Sequence, residues 1–484
     1  MLISFLIICV SAHCIYAQGE QKIFNLSLAE VFKIALKNNL DIQMAKYDAY
    51  ISETSLETVK SIFDIIIDAN INYQNDQGKK MTSSSGTKTV DNNYDVGISK
   101  KFSSGTTIET DMSNNRNRTN ASSAISTLNH NSSVSLSLTQ ELGKNFFGIN
   151  DRNNIDITKI NIENSGYTSL EKVEAIISAV KKVYWDLVLQ MQKAEIQKDM
   201  VEQAKLLYEM HQEKLKDGLV EIPDAIASEA NYKNRQNNLI LEENTVKSKE
   251  SILKLLLNIT EDDITIRPTE GYNLNIVDQD FKESLIIAFD NRRDYLRAKN
   301  EIISKDISLV VEKNNNLPSI NLAASLIRNG LGDHFKQSVT NISDENNTNY
   351  AIGLTFSLPL ENREARAKLQ KAEYEKAKAL VELKLVERKI TIEIIDQIRD
   401  CNIYKEFALN SINVAALQTR KLEEEEKRFN LGRSNTDTLI RYQEDVINAQ
   451  QASASAQYQF HSSLVDLDHK KGILLGAYNL EGEK

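Results

Sequence analysis

From Glu361 to Leu431 the chain contains no Gly and no Pro, the two residues that most readily end a helix. Apolar side chains return there at three- and four-residue steps, as in Leu383, Val386, Ile390, Ile394, Ile398 and Cys401, with Lys, Glu and Arg between them. That is helical periodicity with a narrow apolar seam. At about 1.5 Å per residue such a helix reaches roughly 100 Å. No ordinary globular core needs a rod of that length, so it must have long neighbours to pack against.

The flanks of this rod change period. Ile65, Ile67, Ala69, Ile71 and Tyr73 alternate with Ile66, Asp68, Asn70 and Asn72, and Val134, Leu136 and Leu138 alternate with Ser133, Ser135, Ser137 and Thr139. Period two with one apolar and one polar face predicts strands. Long loops rich in Ser, Thr and Asn separate them, over 74–92, 113–132 and 328–349. The pattern fits a barrel wall between lipid and a wet interior, and taken alone it fits a soluble β-sandwich face equally well.

Read in order, residues 1–17 predict a secretory signal, with an apolar core at Leu2–Val10 and a small-residue cleavage site at Tyr16-Ala17. A first repeat over 18–262 holds helices 28–62, 156–217 and 224–258 and strands 63–75, 93–112 and 131–141. A second repeat over 263–475 holds helices 281–314, 361–431 and 436–475 and strands 318–328 and 350–359, and 476–484 is a loose tail. Ser27 followed by Glu30 has capping-box spacing. A tight turn at Ser103-Ser104-Gly105 makes the 93–112 segment a hairpin, extra to two strands per half. The repeat is visible in ALKNNLD (Ala35–Asp41) against AFDNRRD (Ala288–Asp294), and in KLKDG (Lys214–Gly218) against RFNLG (Arg428–Gly432). In each half two short helices, end to end, match one long helix, so each half predicts a helical hairpin closed by a Gly-containing turn.

The composition excludes much. Of 484 residues 26% are charged and 41% hydrophobic, with a net charge of −10. With a mean hydropathy of −0.39, this is no polytopic helical membrane protein, and the acidity argues against a nucleic-acid partner. Cys9 and Cys14 lie in the signal, which leaves Cys401 without a disulfide partner or a metal-ligand cluster. The histidines 13, 130, 211, 334, 461 and 469 are scattered, and His461 and His469 stand too far apart on one helix for one metal. Trp185, Tyr184 and Leu187 read as packing. The run Glu423–Glu426 reads as a solvated face before it reads as a cation or adaptor site. No phosphate loop, GxSxG or HExxH occurs, so neither catalysis nor a cofactor is expected.

The order and spacing of these features resemble the TolC-like outer-membrane efflux proteins over essentially the whole mature chain. The resemblance rests on LSLAEVFKIALKNNLDI (Leu26–Ile42), LTQELGKNFFGIND (Leu138–Asp151), LTFSLPLENREAR (Leu354–Arg366) and the turns KDGLVEIPD (Lys216–Asp224) and NLGRSNTD (Asn430–Asp437). It implies a mainly α fold with a transmembrane β-barrel part. A homotrimer would share one barrel in the outer membrane of a Gram-negative-type bacterium and form a hollow helical cylinder across the periplasm. Four strands per chain cannot close alone, and an open edge is not tolerated in lipid; three copies of four can close. The implied function is an exit duct of a tripartite efflux or type I secretion system, working with a periplasmic adaptor and an inner-membrane transporter. A non-conducting periplasmic coiled-coil scaffold is the alternative. The turn residues Gly218, Leu219, Gly432 and Arg433 are the expected adaptor-docking tips. Relatives carry carboxylates six and nine positions after the second tip glycine, around the periplasmic aperture. Here those positions are Thr438 and Arg441, and Asp224 matches the first of them in the other tip, so an Asp224–Arg441 contact is the expected latch.

Overall fold

The computed structural model describes residues 22–79, 84, 86–122, 124–261, 263–274, 280–344 and 347–476. The predicted signal at 1–17 and nearly all of the predicted tail lie outside these residues. In chain order the elements are β1 (Lys22–Leu26), α1 (Leu28–Asn38), α2 (Leu40–Lys60), β2 (Ile65–Asp76), β3 (Thr89–Lys101), β4 (Thr106–Thr119) and β5 (Leu128–Glu141). Next come α3 (Ile149–Lys216), α4 (Ile222–Leu257), β6 (Ile264–Pro268), α5 (Phe281–Asn291), α6 (Arg293–Asn315) and β7 (Ser319–Gly332). The chain ends with α7 (Phe335–Asp344), β8 (Thr348–Ser357), α8 (Arg363–Asn430) and α9 (Thr436–Lys471). The fold is mainly helical with one large sheet. The helix lengths match in pairs: α3 and α8 each have 68 residues, and α4 and α9 each have 36. The described residues form two compact units, one drawn from within 1–44, 172–292 and 390–484, the other from within 45–171 and 293–389.

In the first unit the helices pack through heptad seams. On α8 the buried residues Ile394, Cys401, Ala408, Ala415 and Leu422 recur at every seventh position, which keeps one stripe against its neighbours. Met200 and Leu207 of α3 join Leu422 of α8 and Leu439, Val446 and Ile447 of α9 in one cluster. The capping box at Ser27 and Glu30 is present, with the Ser27 N–H donating to Glu30 Oε2 at 2.8 Å. β1 and β6 form a parallel two-stranded sheet that the periodicity did not predict.

The predicted helices 28–62 and 281–314 are each divided in two. At Asn39 the backbone turns extended (φ −62, ψ 128). The buried Asn39 side chain accepts from Ile42 N–H at 3.0 Å and donates to Leu256 C=O at 2.8 Å. Those bonds replace the helical ones. Arg292 breaks the predicted helix 281–314 in the same way (φ −67, ψ 122) and pairs with Glu393 at 2.7 Å.

The second unit is built on one antiparallel sheet in the order β2-β3-β4-β5-β7-β8. The predicted 93–112 hairpin is two full strands, β3 and β4, inside that sheet, so the chain supplies six strands rather than four. The β3–β4 turn is tight, with Phe102 N–H bonded to Thr106 C=O at 2.8 Å and Gly105 at φ +71. The expected 328–349 loop is shorter than predicted, because β7 continues to Gly332 and α7 follows. Helix α3 starts at Ile149 rather than 156. Asn145, left-handed at φ 60, accepts Asn150 N–H at 2.8 Å and caps that start.

Candidate functional site: the hairpin turns and the sheet faces

The two hairpin turns lie in the first unit and have the same construction. Gly218 N–H donates to Leu215 C=O at 3.1 Å and Leu219 N–H to Lys214 C=O at 2.8 Å. In the second turn, Gly432 N–H donates to Phe429 C=O at 2.9 Å and Arg433 N–H to Arg428 C=O at 2.9 Å. This paired bonding ends a helix on a left-handed residue, and both glycines are left-handed, at φ +69 and +70. A Cβ at either glycine would meet open space. Leu219, Ile222, Ile226 and Leu431 stand exposed around the turns, Leu219 at 73%. The structure therefore leaves four large apolar side chains in solvent at the closed end of the hairpins.

Beneath each turn is a buried polar residue seven positions before the glycine. Beneath the first turn it is His211, beneath the second Glu425. His211 Nε2 lies 3.5 Å from Thr436 Oγ1, its ring stands edge-on to Phe429, and its Nδ1 is buried without a hydrogen-bond partner. Burial pulls the imidazole below its ordinary pKa and Lys214 adds to this, while Asp224 works against it. Glu425 accepts from Ser434 Oγ and pairs with Arg428 at 3.1 Å. The acidic run is thus not one solvated face: Glu425 is buried, and burial together with Glu423 raises the Glu426 carboxyl. Sequence reasoning passed over both residues. The available signal was the seam itself, since Met200, Ala204 and Leu207 place the next core position at His211.

The aperture candidates lie near these turns. Asp224 is half-buried at the start of α4 and acts on His211. Thr438 donates its backbone N–H to the capping Asn435 side chain at 2.8 Å. Arg441 is exposed and lies over the Tyr442 ring at 5.6 Å. Within the described chain no ion pair joins Asp224 to Arg441.

The sheet of the second unit separates polarity by face. Its register is continuous across all six strands. One face carries Ile67, Ile71, Val96, Ile98, Met112, Val134, Leu136, Leu326, Ile352 and Leu354, all of them exposed. Tyr73, Tyr94 and Tyr350 stand on the same face toward the end remote from the β3–β4 turn, and are exposed as well. The opposite face carries Asp68, Asp76, Asp91, Asp95, Glu109, Asp111 and Glu141 against Lys101 alone. Both edge strands, β2 and β8, are exposed along nearly their whole length. An apolar face bordered by aromatic residues, backed by a polar one, is the pattern of a strand wall in lipid.

Among the described residues no group of three His, Cys, Asp or Glu could hold a metal ion, and no helix is long and apolar enough to cross a membrane. His461 lies against Trp185, with ring centroids 4.7 Å apart, and accepts Asn273 N–H at 3.0 Å. Cys401 is buried on the α8 seam and donates to Ser463 C=O at 3.3 Å.

No protein-family model matches the sequence, and no curated protein matches it. Solved structures do match the fold. The Campylobacter jejuni CmeC outer membrane channel aligns over 92% of this chain and 85% of its own, with a TM-score of 0.69 and 18% identity. The Vibrio cholerae outer membrane protein VceC aligns over 92% and 96%, with a TM-score of 0.66 and 13% identity. The open state of the Neisseria gonorrhoeae MtrE outer membrane channel aligns over 92% and 88%, with a TM-score of 0.67 and 15% identity. At these identities the likeness is one of fold, and the chain has the TolC-like fold of these channels.

Proposed function

We propose that this protein is an outer-membrane exit duct of a tripartite efflux or type I secretion system, belonging with the TolC-like channels whose fold it has. The observation that carries the reading is the six-stranded sheet, with an apolar face, an acidic opposite face and two open edges. Open edges are not tolerated in lipid, and six strands are too few to enclose a channel. A homotrimer solves both problems, supplying three times the six strands to one barrel. The exposed apolar faces of the long helices then pack against those of the other copies. The acidic face lines the interior and cargo passes through passively. The two repeats, 18–262 and 263–475, are read as an internal duplication that gives each protomer two hairpins.

The exposed turns with Gly218, Leu219, Gly432 and Arg433 are the docking points for a periplasmic adaptor, which brings the inner-membrane transporter. Asp224, Thr438 and Arg441 border the aperture, and an Asp224–Arg441 pair forms between protomers rather than within one. A periplasmic scaffold would have no use for the apolar face, and nothing in the arrangement points to catalysis.

Single-channel recording in planar bilayers, beside the oligomeric mass in detergent, tests the reading. A trimer with a small, gated conductance is expected, and Asp224→Ala or Arg441→Ala should widen or destabilise the closed state. A water-soluble species that never inserts would overturn it. Bulky substitution at Leu219 or Gly432 should abolish export while leaving trimers intact; normal export would refute docking there.

A further inference from the structure

The charges of the sheet are sorted by face as strictly as its apolar residues. No Asp or Glu stands on the apolar face of any of the six strands; of the cations on that face Lys100 stands beside the β3–β4 turn, and Arg116, Arg118 and Arg328 stand toward the other end. Arg116 and Arg118 of β4 lie there, with His130 directly opposite Arg116 on β5. Arg116 and His334 both act on the charge of His130. Neither Arg116 nor Arg118 makes an ion pair among the described residues. Asp333, the acid nearest in sequence to this group, accepts instead from Ser126 Oγ at 3.2 Å.

Helix α7 makes this end a fixed surface. It lies on the sheet where Gly330 and Gly332 leave room. A Cβ at Gly330 would collide with Ser338 C=O, and one at Gly332 would come within 2.8 Å of Ser338 N. Ser338 Oγ and Ser132 Oγ are 2.7 Å apart, both residues fully buried, and Asn341 Nδ2 donates to Leu331 C=O at 2.8 Å. The start of α7 adds His334 and Lys336, both exposed, and Phe335 at 52% exposure. Across the sheet the face thus carries an apolar band, Tyr73, Tyr94 and Tyr350 on β2, β3 and β8, and, at the end remote from the turn, Arg116 and Arg118 on β4.

We propose that this end binds the phosphorylated headgroup of an anionic membrane lipid, with Arg116 and Arg118 as its main contacts and His334 and Lys336 completing the cluster. The inference rests on the apolar face meeting lipid, as proposed above. A lipid whose chains lie along the apolar band puts its phosphate at the level of the tyrosines and beyond, where these donors stand. Arginine forks suit phosphate oxygens.

The test uses the full-length protein reconstituted in equal parts phosphatidylglycerol and phosphatidylcholine, then released gently for native mass spectrometry of retained lipid. Phosphatidylglycerol should be retained in preference. Each Arg lost near an anionic surface should reduce the preference roughly fivefold, so Arg116→Gln with Arg118→Gln should reduce it about 25-fold. Arg116→Lys with Arg118→Lys should keep only part of it, since the charge remains but the fork is lost, and Lys100→Gln, at the other end of the same face, should leave it unchanged. Equal retention of the two lipids, or a preference that survives the double Gln substitution, would overturn the proposal. So would displacement of the lipid by inorganic phosphate alone, which would make the site one for free anions. A protein that enters the bilayer without lipid preference refutes this inference only; one that never enters refutes the duct reading with it.

Discussion

Acidification should release Asn273 from His461. The imidazole Nε2 accepts Asn273 N–H at 3.0 Å, and the rings of Trp185, Tyr272 and Phe460 lie 4.7, 5.1 and 5.8 Å away. A proton on Nε2 would remove that acceptor and bring charge among aromatic rings. Burial accordingly lowers the pKa from 6.5 to about 4, and Lys181 adds to the fall. The unfolded chain takes up this proton below about 6.5, while the folded chain waits until about 4. The stability carried by the neutral imidazole is therefore complete above the upper value and is lost as pH falls through that window. At 1.36 kcal/mol per unit the loss is about 3 kcal/mol. Trp185 is the only tryptophan of the chain and touches His461, so its emission reports on this site. Denaturation followed through Trp185 at a series of pH values should show the wild type losing this stability and His461→Gln losing correspondingly less. Equal losses in both proteins, or a Trp185 titration centred near the unperturbed histidine value, would refute the reasoning.

Gly218→Ala and Gly432→Ala meet no atoms but force a left-handed alanine; each should cost about 1–2 kcal/mol, measured by denaturation, with secondary structure retained. Arg292→Met leaves the partly buried Glu393 with Lys470 at 3.3 Å but without its closest partner and should cost about 1–3 kcal/mol; adding Glu393→Gln should recover part of the loss in a double-mutant cycle. Burial works to raise the Glu393 carboxyl, but its bond to Arg292 and the nearby Lys470 bring it below the usual range, so NMR titration of Arg292→Met should find it raised. Gly330→Leu would collide with the α7 backbone; hydrogen exchange should show α7 losing protection while the sheet keeps its own.

The long helices were legible because nothing in them interrupts the seam, and the strands because polarity alternates without a slip. The breaks at Asn39 and Arg292 were not legible, although both sit in the segments whose likeness suggested a repeat. The apolar spacing continues through each break, and the deciding bonds go to Leu256 C=O and to Glu393, far along the chain. Helix α7 was hidden for a different reason. Its sequence is that of a polar loop, and it is held by glycines and serines on strands that give no helical signal. The β1–β6 pairing joins two five-residue strands about 240 positions apart, too short for period two to show. At the turns, the glycines and their exposure were expected from sequence, whereas His211 and Glu425 were lost among scattered histidines and a run of acids. Their positions follow from helical phase, which composition alone does not carry.

The tight turn between β3 and β4 has one more consequence. Its Ser103 C=O accepts from Arg152 Nη1 at 2.7 Å, and Gly105 lies against Gly148, so the turn is fastened to the passage from β5 into α3. A chain that leaves the helical end, crosses the sheet and comes back ends on the side from which it started. Such an excursion can be inserted or deleted while every helix keeps its entry point. The width of the sheet can thus change in steps of one hairpin while the strand-to-helix passages stay as they are.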